Sequence, residues 1–177
     1  SVAKHFPGHG DTAEDSHYTL PAVHHDRARL DSVELLPFKR YIYDGYAGVM
    51  TGHLYVPALD KARNKPVSMS RAVVTDLLQK ELGFRGLCFT DALAMKGATT
   101  RKSDNPSVMA LLAGNDILLA PAAPINDFAA VKEALEEGIL DREEIEVKII
   151  KILQYKYIAG LNDYRPVETK GLSERLN

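Results

Sequence analysis

Short apolar runs that look like strands alternate with polar loops and then with segments of helical spacing. This happens four times, and it constrains the fold more than any other feature of the chain. The first run is Val2 to Phe6, broken by Pro7-Gly8-His9-Gly10, and the second lies near Ala47 to Thr51. The third, Gly86 to Thr90, is almost continuously apolar, as a parallel strand buried on both faces must be. The fourth is Asp116 to Leu119, stopped by Ala120-Pro121. Helices are predicted over roughly Ser32 to Tyr43 with Pro37 in the first turn of the main part, from a Ser70 cap to Leu82, and from Asn105-Pro106 to Gly114. Gly83 supplies a left-handed stop for the second of these. Two further helices follow, Asp127 to Glu137 with Gly138 behind it, and about Arg142 to Ala159. The last opens on the capping pattern Asp141-Arg142-Glu143-Glu144 and ends at Gly160.

Four strand-helix units predict a parallel α/β architecture. A closed (β/α)8 TIM barrel typically takes about 250 residues, whereas this chain has 177. Half of such a barrel is therefore expected over residues 1–161, with residues 162–177 as a polar tail or linker. A small open doubly wound sheet is the competing arrangement. Both place polar loops at the carboxyl ends of the strands, and chemistry is expected there.

The formal charge of −2 and the lack of a long basic run argue against nucleic acid as the main partner, because phosphate binding needs clustered Lys and Arg. No apolar stretch approaches the roughly 18 residues of a spanning helix, and Ser1-Val2-Ala3-Lys4-His5 lacks the shape of a signal peptide, so no membrane partner is expected. The absent initiator Met leaves the compartment open. Cys88 is the only cysteine, which excludes a disulfide framework and a thiolate metal cage, and within Leu87-Cys88-Phe89 it reads as core.

Three strand ends carry ionisable groups, which are costly at such places unless used or paired. The first gives Lys4-His5 and then, along its loop, Asp15-Ser16-His17. The second ends in Thr51-Gly52-His53 and the third in Thr90-Asp91. A carboxylate beside an imidazole fixes its tautomer and favours the protonated ring, which suits a group that gives and takes a proton. Asp15 and His17 fit that role, and equally a pair of solvated loop residues. Asp91, with no charged neighbour until Lys96, fits a nucleophile, a base or a metal ligand, and equally an N-cap. His5 and His9 are four apart, but Pro7-Gly8 between them prevents a shared helical face, and adjacent His24 and His25 point apart. No metal and no other cofactor is expected.

These residues carry a likeness. Lys4-His5-Phe6-Pro7-Gly8-His9-Gly10-Asp11-Thr12, with Asp15-Ser16-His17 and Leu20-Pro21, resembles the signature of family 3 glycoside hydrolases, and within it the β-N-acetylglucosaminidase branch. Leu36-Pro37-Phe38, Met50-Thr51-Gly52-His53, Leu82-Gly83-Phe84, Thr90-Asp91-Ala92-Leu93-Ala94-Met95 and Ala113-Gly114-Asn115-Asp116 follow in matching order.

The resemblance implies a (β/α)8 barrel that releases terminal β-linked N-acetylglucosamine with retention, from sugars derived from the bacterial cell wall in the cytoplasm or periplasm. It puts Asp91 on the nucleophile, His17 on the acid/base and Asp15 on its orienting partner, with Lys4 and His5 holding sugar hydroxyls. His53 lines the pocket wall or makes a structural hydrogen bond. It also implies four further βα units, with an acidic residue and an arginine for the sugar, that this sequence does not contain. Their absence would expose two sheet edges, which dimerisation would cover, and would leave the isolated chain with little activity. The alternatives are a β-glucosidase, a phosphorylase that uses phosphate in place of water, and a non-catalytic carbohydrate-binding module.

Overall fold

The structure, a computed structural model, describes residues 1–63, 65–98, 104–166 and 168–176. Three parallel strands, β1 (Val2–Phe6), β2 (Gly48–Thr51) and β3 (Leu87–Thr90), lie side by side in chain order. The β2–β3 register is regular, from Gly48 opposite Leu87 to Thr51 opposite Thr90. Between β1 and β2 it slips between Ala3 and Phe6. Successive strands are spatial neighbours with no reversal of order among the described residues. That order is the one a barrel wall has, and it is shared by the first three strands of a doubly wound sheet.

The expected fourth strand is a correction. Only Ile117 bridges to Phe89, and the extended run does not continue as a ladder. The Leu119 N–H is taken by the Thr90 hydroxyl oxygen at 2.9 Å, so a side chain replaces the next backbone acceptor.

Helices cover one side of this sheet. After β1 the chain passes through a long loop to a helical turn, α1 (Arg27–Arg29), capped by the Asp26 carboxylate, and a π-helical stretch, Leu30–Glu34. It then enters α2 (Leu36–Tyr43), with Pro37 in the first turn as expected. Phe38 of α2 meets Phe6 of β1 edge to face at 5.1 Å, and both belong to the main core with Leu35, Val49, Leu78 and Cys88. The segment Ala72–Glu81 is helical with π spacing, and the Leu82 N–H donates to the Leu77 carbonyl. Its Val73, Val74, Leu77 and Leu78 fill the core.

Ser70 does not cap that helix with its side chain, a second correction. Its hydroxyl donates to Asp60 Oδ2 at 2.5 Å, and a 3-10 turn, Val67–Met69, precedes it.

The other helix ends follow local chemistry. Asn105 Oδ1 accepts the Ser107 and Val108 N–H groups at the start of α3 (Pro106–Ala113), and Gly114 closes it at φ +114°. Next come α4 (Pro124–Glu136) and α5 (Arg142–Ile158), which is capped by Asp141 Oδ1 at 2.9 Å from the Glu144 N–H. No residue of α5 is fully buried, and Val147, Ile150, Leu153 and Tyr157 lie on its open surface. Lys151 ties α5 to the sheet through Asp116 Oδ2 at 2.8 Å, and the same oxygen accepts the Cys88 N–H. The predicted tail is partly ordered: a 3-10 turn, Leu161–Asp163, precedes a short α6 (Leu172–Leu176). Among the described residues no helix is long and apolar enough to cross a membrane.

Candidate active site

Because the strands are parallel, their carboxyl ends share one rim, and that rim collects the ionisable groups. Asp91 follows β3 directly. Its N–H donates to the Thr51 carbonyl at 2.9 Å, and its Oδ1 accepts the Ala92 N–H at 2.8 Å. The other oxygen, Oδ2, lies 3.6 Å from His5 Nε2. One carboxylate oxygen is thus fixed by the backbone, and the other faces an imidazole.

The β1 end supplies that imidazole through a close backbone approach, since a Cβ on Gly52 would lie 3.0 Å from the His5 Cβ. The Lys4–His5 and Phe6–Pro7 peptide bonds are cis. Burial, opposed by the Asp91 charge, holds the His5 imidazole below its ordinary value, and Lys4, His9 and His17 push the same way as burial. At neutral pH His5 is therefore a neutral ring, able to donate one hydrogen bond and accept another. Lys4 is exposed beside it.

His53 is fully buried. Its Nε2 donates to the Ala92 carbonyl at 3.1 Å, which assigns the proton to Nε2 and leaves Nδ1 to accept from the Ser68 hydroxyl at 2.8 Å. Both nitrogens are occupied within the chain, so the surroundings of His53 favour the structural hydrogen bond over a place on the pocket wall.

Asp15 and His17 stand on the loop after β1. His17 Nδ1 lies 2.7 Å from Asp15 Oδ1, and the His17 backbone N–H donates to the same oxygen at 2.9 Å. That backbone bond, and then the ring, hold the Asp15 carboxyl below its ordinary value. The ionised carboxylate accepts a hydrogen bond from Nδ1–H, which leaves Nε2 without the Asp15 contact. His17 has no direct contact with Asp91. Their loops meet in the seating of the first on the second: the Gly97 N–H, six residues past Asp91, donates to the Ser16 carbonyl at 3.1 Å.

Three groups that the sequence did not single out hold this arrangement. Ser16 is buried, with its hydroxyl 3.1 Å from His9 Nε2, and His9 Nδ1 lies 2.7 Å from the Thr12 hydroxyl. Gly97 accepts the loop. Asn115, also buried, accepts from the Thr51 hydroxyl and donates to the Ser68 and Ala110 carbonyls, joining β2, the segment under His53 and α3.

A cavity of about 680 Å³ is lined by His5, His9, Asp11, Arg29, Glu34 and Tyr41 among others. Asp11, His25 and Glu34 bring ligand atoms together there in the manner of a metal site. However, Arg29 Nη2 lies 3.0 Å from Glu34 Oε1 and 3.4 Å from Asp11 Oδ2, and His25 Nε2 lies 2.6 Å from Asp11 Oδ2. A guanidinium therefore already supplies the positive charge, and the cluster reads as an ion-pair network that closes the base of the loop.

Comparison with known proteins concerns the family and the fold. Residues 1–155 match the family described as Glycosyl hydrolase family 3 N terminal domain. The chain is 36% identical over 176 residues to Beta-hexosaminidase A of Pseudoalteromonas piscicida, covering 88% of this chain and 29% of that protein. It is similar to a glycoside hydrolase family 3 beta-N-acetylglucosaminidase from Paenibacillus sp. str. FPU-7, with 37% identity, TM-score 0.85, and coverage of 94% of this chain and 32% of that one. It is also similar to the beta-N-acetylglucosaminidase from Thermotoga maritima, with 31% identity, TM-score 0.75, and coverage of 87% and 34%. The chain thus spans about a third of the length of these relatives.

Proposed function

The chain belongs to glycosyl hydrolase family 3, and from that membership we propose that it carries the nucleophile and the proton-transfer dyad of a retaining β-N-acetylhexosaminidase. The observation that supports this reading most is the pairing of two loops on one rim. The loop of Asp91 receives, through the Gly97–Ser16 hydrogen bond, the loop that bears Asp15 and His17.

In the proposed first step Asp91 Oδ2 attacks the anomeric carbon as the bond from that carbon to the leaving oxygen breaks. His17 Nε2, as imidazolium, gives its proton to the departing oxygen. Asp15 holds the ring by Nδ1. In the second step water attacks the glycosyl ester of Asp91, His17 Nε2 takes the water proton, and the carboxylate is released. Lys4 and neutral His5 hold sugar hydroxyls, and His5 steadies the charge that returns to Asp91. Every step uses side chains of this chain alone and calls for no cofactor.

The proposed substrate is a saccharide with terminal β-linked N-acetylglucosamine, of the kind released from bacterial cell walls. Because β1 pairs with β2 alone among the described residues, the cleft over Asp91 has one open flank. We assign that flank to further βα units of a half-open barrel, and expect little turnover from the 177-residue chain by itself.

The test uses an aryl β-N-acetylglucosaminide with the chain alone and with the chain completed by a family 3 amino-terminal half. Completion should bring turnover, and Asp91→Ala should abolish it while sugar binding persists. Substantial turnover by the chain alone would overturn the need for completion. Turnover that survives Asp91→Ala would overturn the nucleophile.

A further inference from the structure

Asp15 and His17 expose 57% and 68% of their side chains, whereas Ser16 between them is 4% exposed. The pair is therefore held over the rim by the residue between its members. What buries Ser16 is the turn after Asp91. Its carbonyl accepts the Gly97 N–H, and an added Cβ at Gly97 would lie 2.7 Å from the Ser16 oxygen, 2.9 Å from the Thr19 oxygen and 3.0 Å from the His53 Cβ. Two of these neighbours are backbone, and the third belongs to a ring pinned at both nitrogens. None is the free end of a flexible side chain.

Gly97 is not in the left-handed region. Its requirement for glycine is one of space, not conformation.

The seated part is a single hydrogen-bonded turn. The Tyr18 and Thr19 N–H groups both donate to the Asp15 carbonyl, so residues 15–19 form a single turn that presents the Ser16 and Thr19 oxygens to Gly97. The base of the loop is closed separately by His25 and Arg29 on Asp11. Lifting the turn off Gly97 would leave the Asp15–His17 pair intact, because both members ride on it, but would uncouple the pair from Asp91.

We infer that Gly97 is a positioning residue: its missing side chain is the seat that sets the distance between the His17 imidazole and the Asp91 carboxylate. This rests on the reading of His17 as the proton-transfer group, so the experiment separates the seat from the chemistry.

In the 177-residue chain, amide hydrogen exchange over residues 11–20 reads the seat without catalysis. Gly97→Val should raise it by about tenfold or more while the core segment 72–81 exchanges as in the parent. Gly97→Ala should fall between the two, and it carries the test if the valine variant does not fold. Unchanged exchange over 11–20 in a folded variant, or an equal rise in both segments, would overturn the seat.

In the completed enzyme, an aglycone that needs protonation should slow at least about tenfold more in Gly97→Val than a dinitrophenyl aglycone, which departs unprotonated. Equal slowing of both, with exchange over residues 11–20 unchanged, would overturn the positioning role. Loss of the seat in exchange without this split would instead count against His17 as the acid.

Discussion

Replacing His53 by leucine removes the ring behind Asp91 and leaves a side chain of similar bulk. Two bonds are lost, to Ser68 Oγ at 2.8 Å and to the Ala92 carbonyl at 3.1 Å, from a residue with no exposed surface. At about 1 kcal/mol net for each bond and about 1–3 kcal/mol for a buried partner left unsatisfied, stability should fall by about 3–5 kcal/mol. Leucine fills most of the space, so cavity formation adds little. With a urea m-value of about 2–3 kcal/mol/M, the unfolding midpoint should drop by about 1–2.5 M.

Equilibrium unfolding at pH 7, followed by circular dichroism, reads this directly. A drop of less than about 0.3 M would refute the reasoning, since it would mean that the two bonds contribute no net stability.

The same residue sets a pH dependence of known sign. Burial is the leading cause holding His53 below its ordinary 6.5, against the Ala92 carbonyl and the Asp91 charge, which pull upward. The unfolded chain then binds more protons than the folded one between the two values, so stability rises with pH there. His5 is depressed in the same direction. The parent should lose stability as the pH falls below about 6.5, and His53→Leu should lose less across that window.

Three other outcomes are expected. Gly8→Ala places a Cβ 2.8 Å from the Glu34 Cβ at φ +139°, and should cost about 2–3 kcal/mol, whereas Gly45→Ala, at φ +77° with open space, should cost about 1 kcal/mol; equal costs in urea unfolding would refute the steric argument. Asn115→Ala removes three buried hydrogen bonds and should cost about 3 kcal/mol by the same measurement, with a loss below about 1 kcal/mol counting against its role as a hub. The Cys88 thiol, pushed up to about 11 chiefly by burial, should react with iodoacetamide at pH 8 only as the chain opens, so that labelling quickens with urea. Labelling at the rate of a free thiol in the absence of urea would contradict that placement.

Much of this was legible because it is written locally. Val2–Phe6 is bounded by its own proline-glycine break. Asn105 and Asp141 cap the helices that follow them with their own side chains, and Gly114 and Gly160 end helices at positive φ. Asp15 and His17 are two residues apart, and their hydrogen bond is a short-range event. What escaped depends on distant partners. Ser70 is a good capping residue, yet Asp60 takes its hydroxyl. Asp116 to Leu119 has the pattern of a strand but finds only one bridge, because the Thr90 hydroxyl intervenes. Gly97 has no distinctive neighbours in the sequence, and its meaning lies in what approaches it from 81 positions earlier, at Ser16. Asn115 falls within a recognised motif, but the three partners that define its task come from Thr51, Ser68 and Ala110.

The uncovered side chains of α5 bear on how the protein should be handled at the bench. Val147, Ile150, Leu153 and Tyr157 form an oily stripe on a helix that Lys151 and Lys148 tether to Asp116. Attraction between such stripes grows with sulfate and fades on chilling. Cold, sulfate-poor buffers should keep the molecules dispersed, and ammonium sulfate should bring them out of solution early.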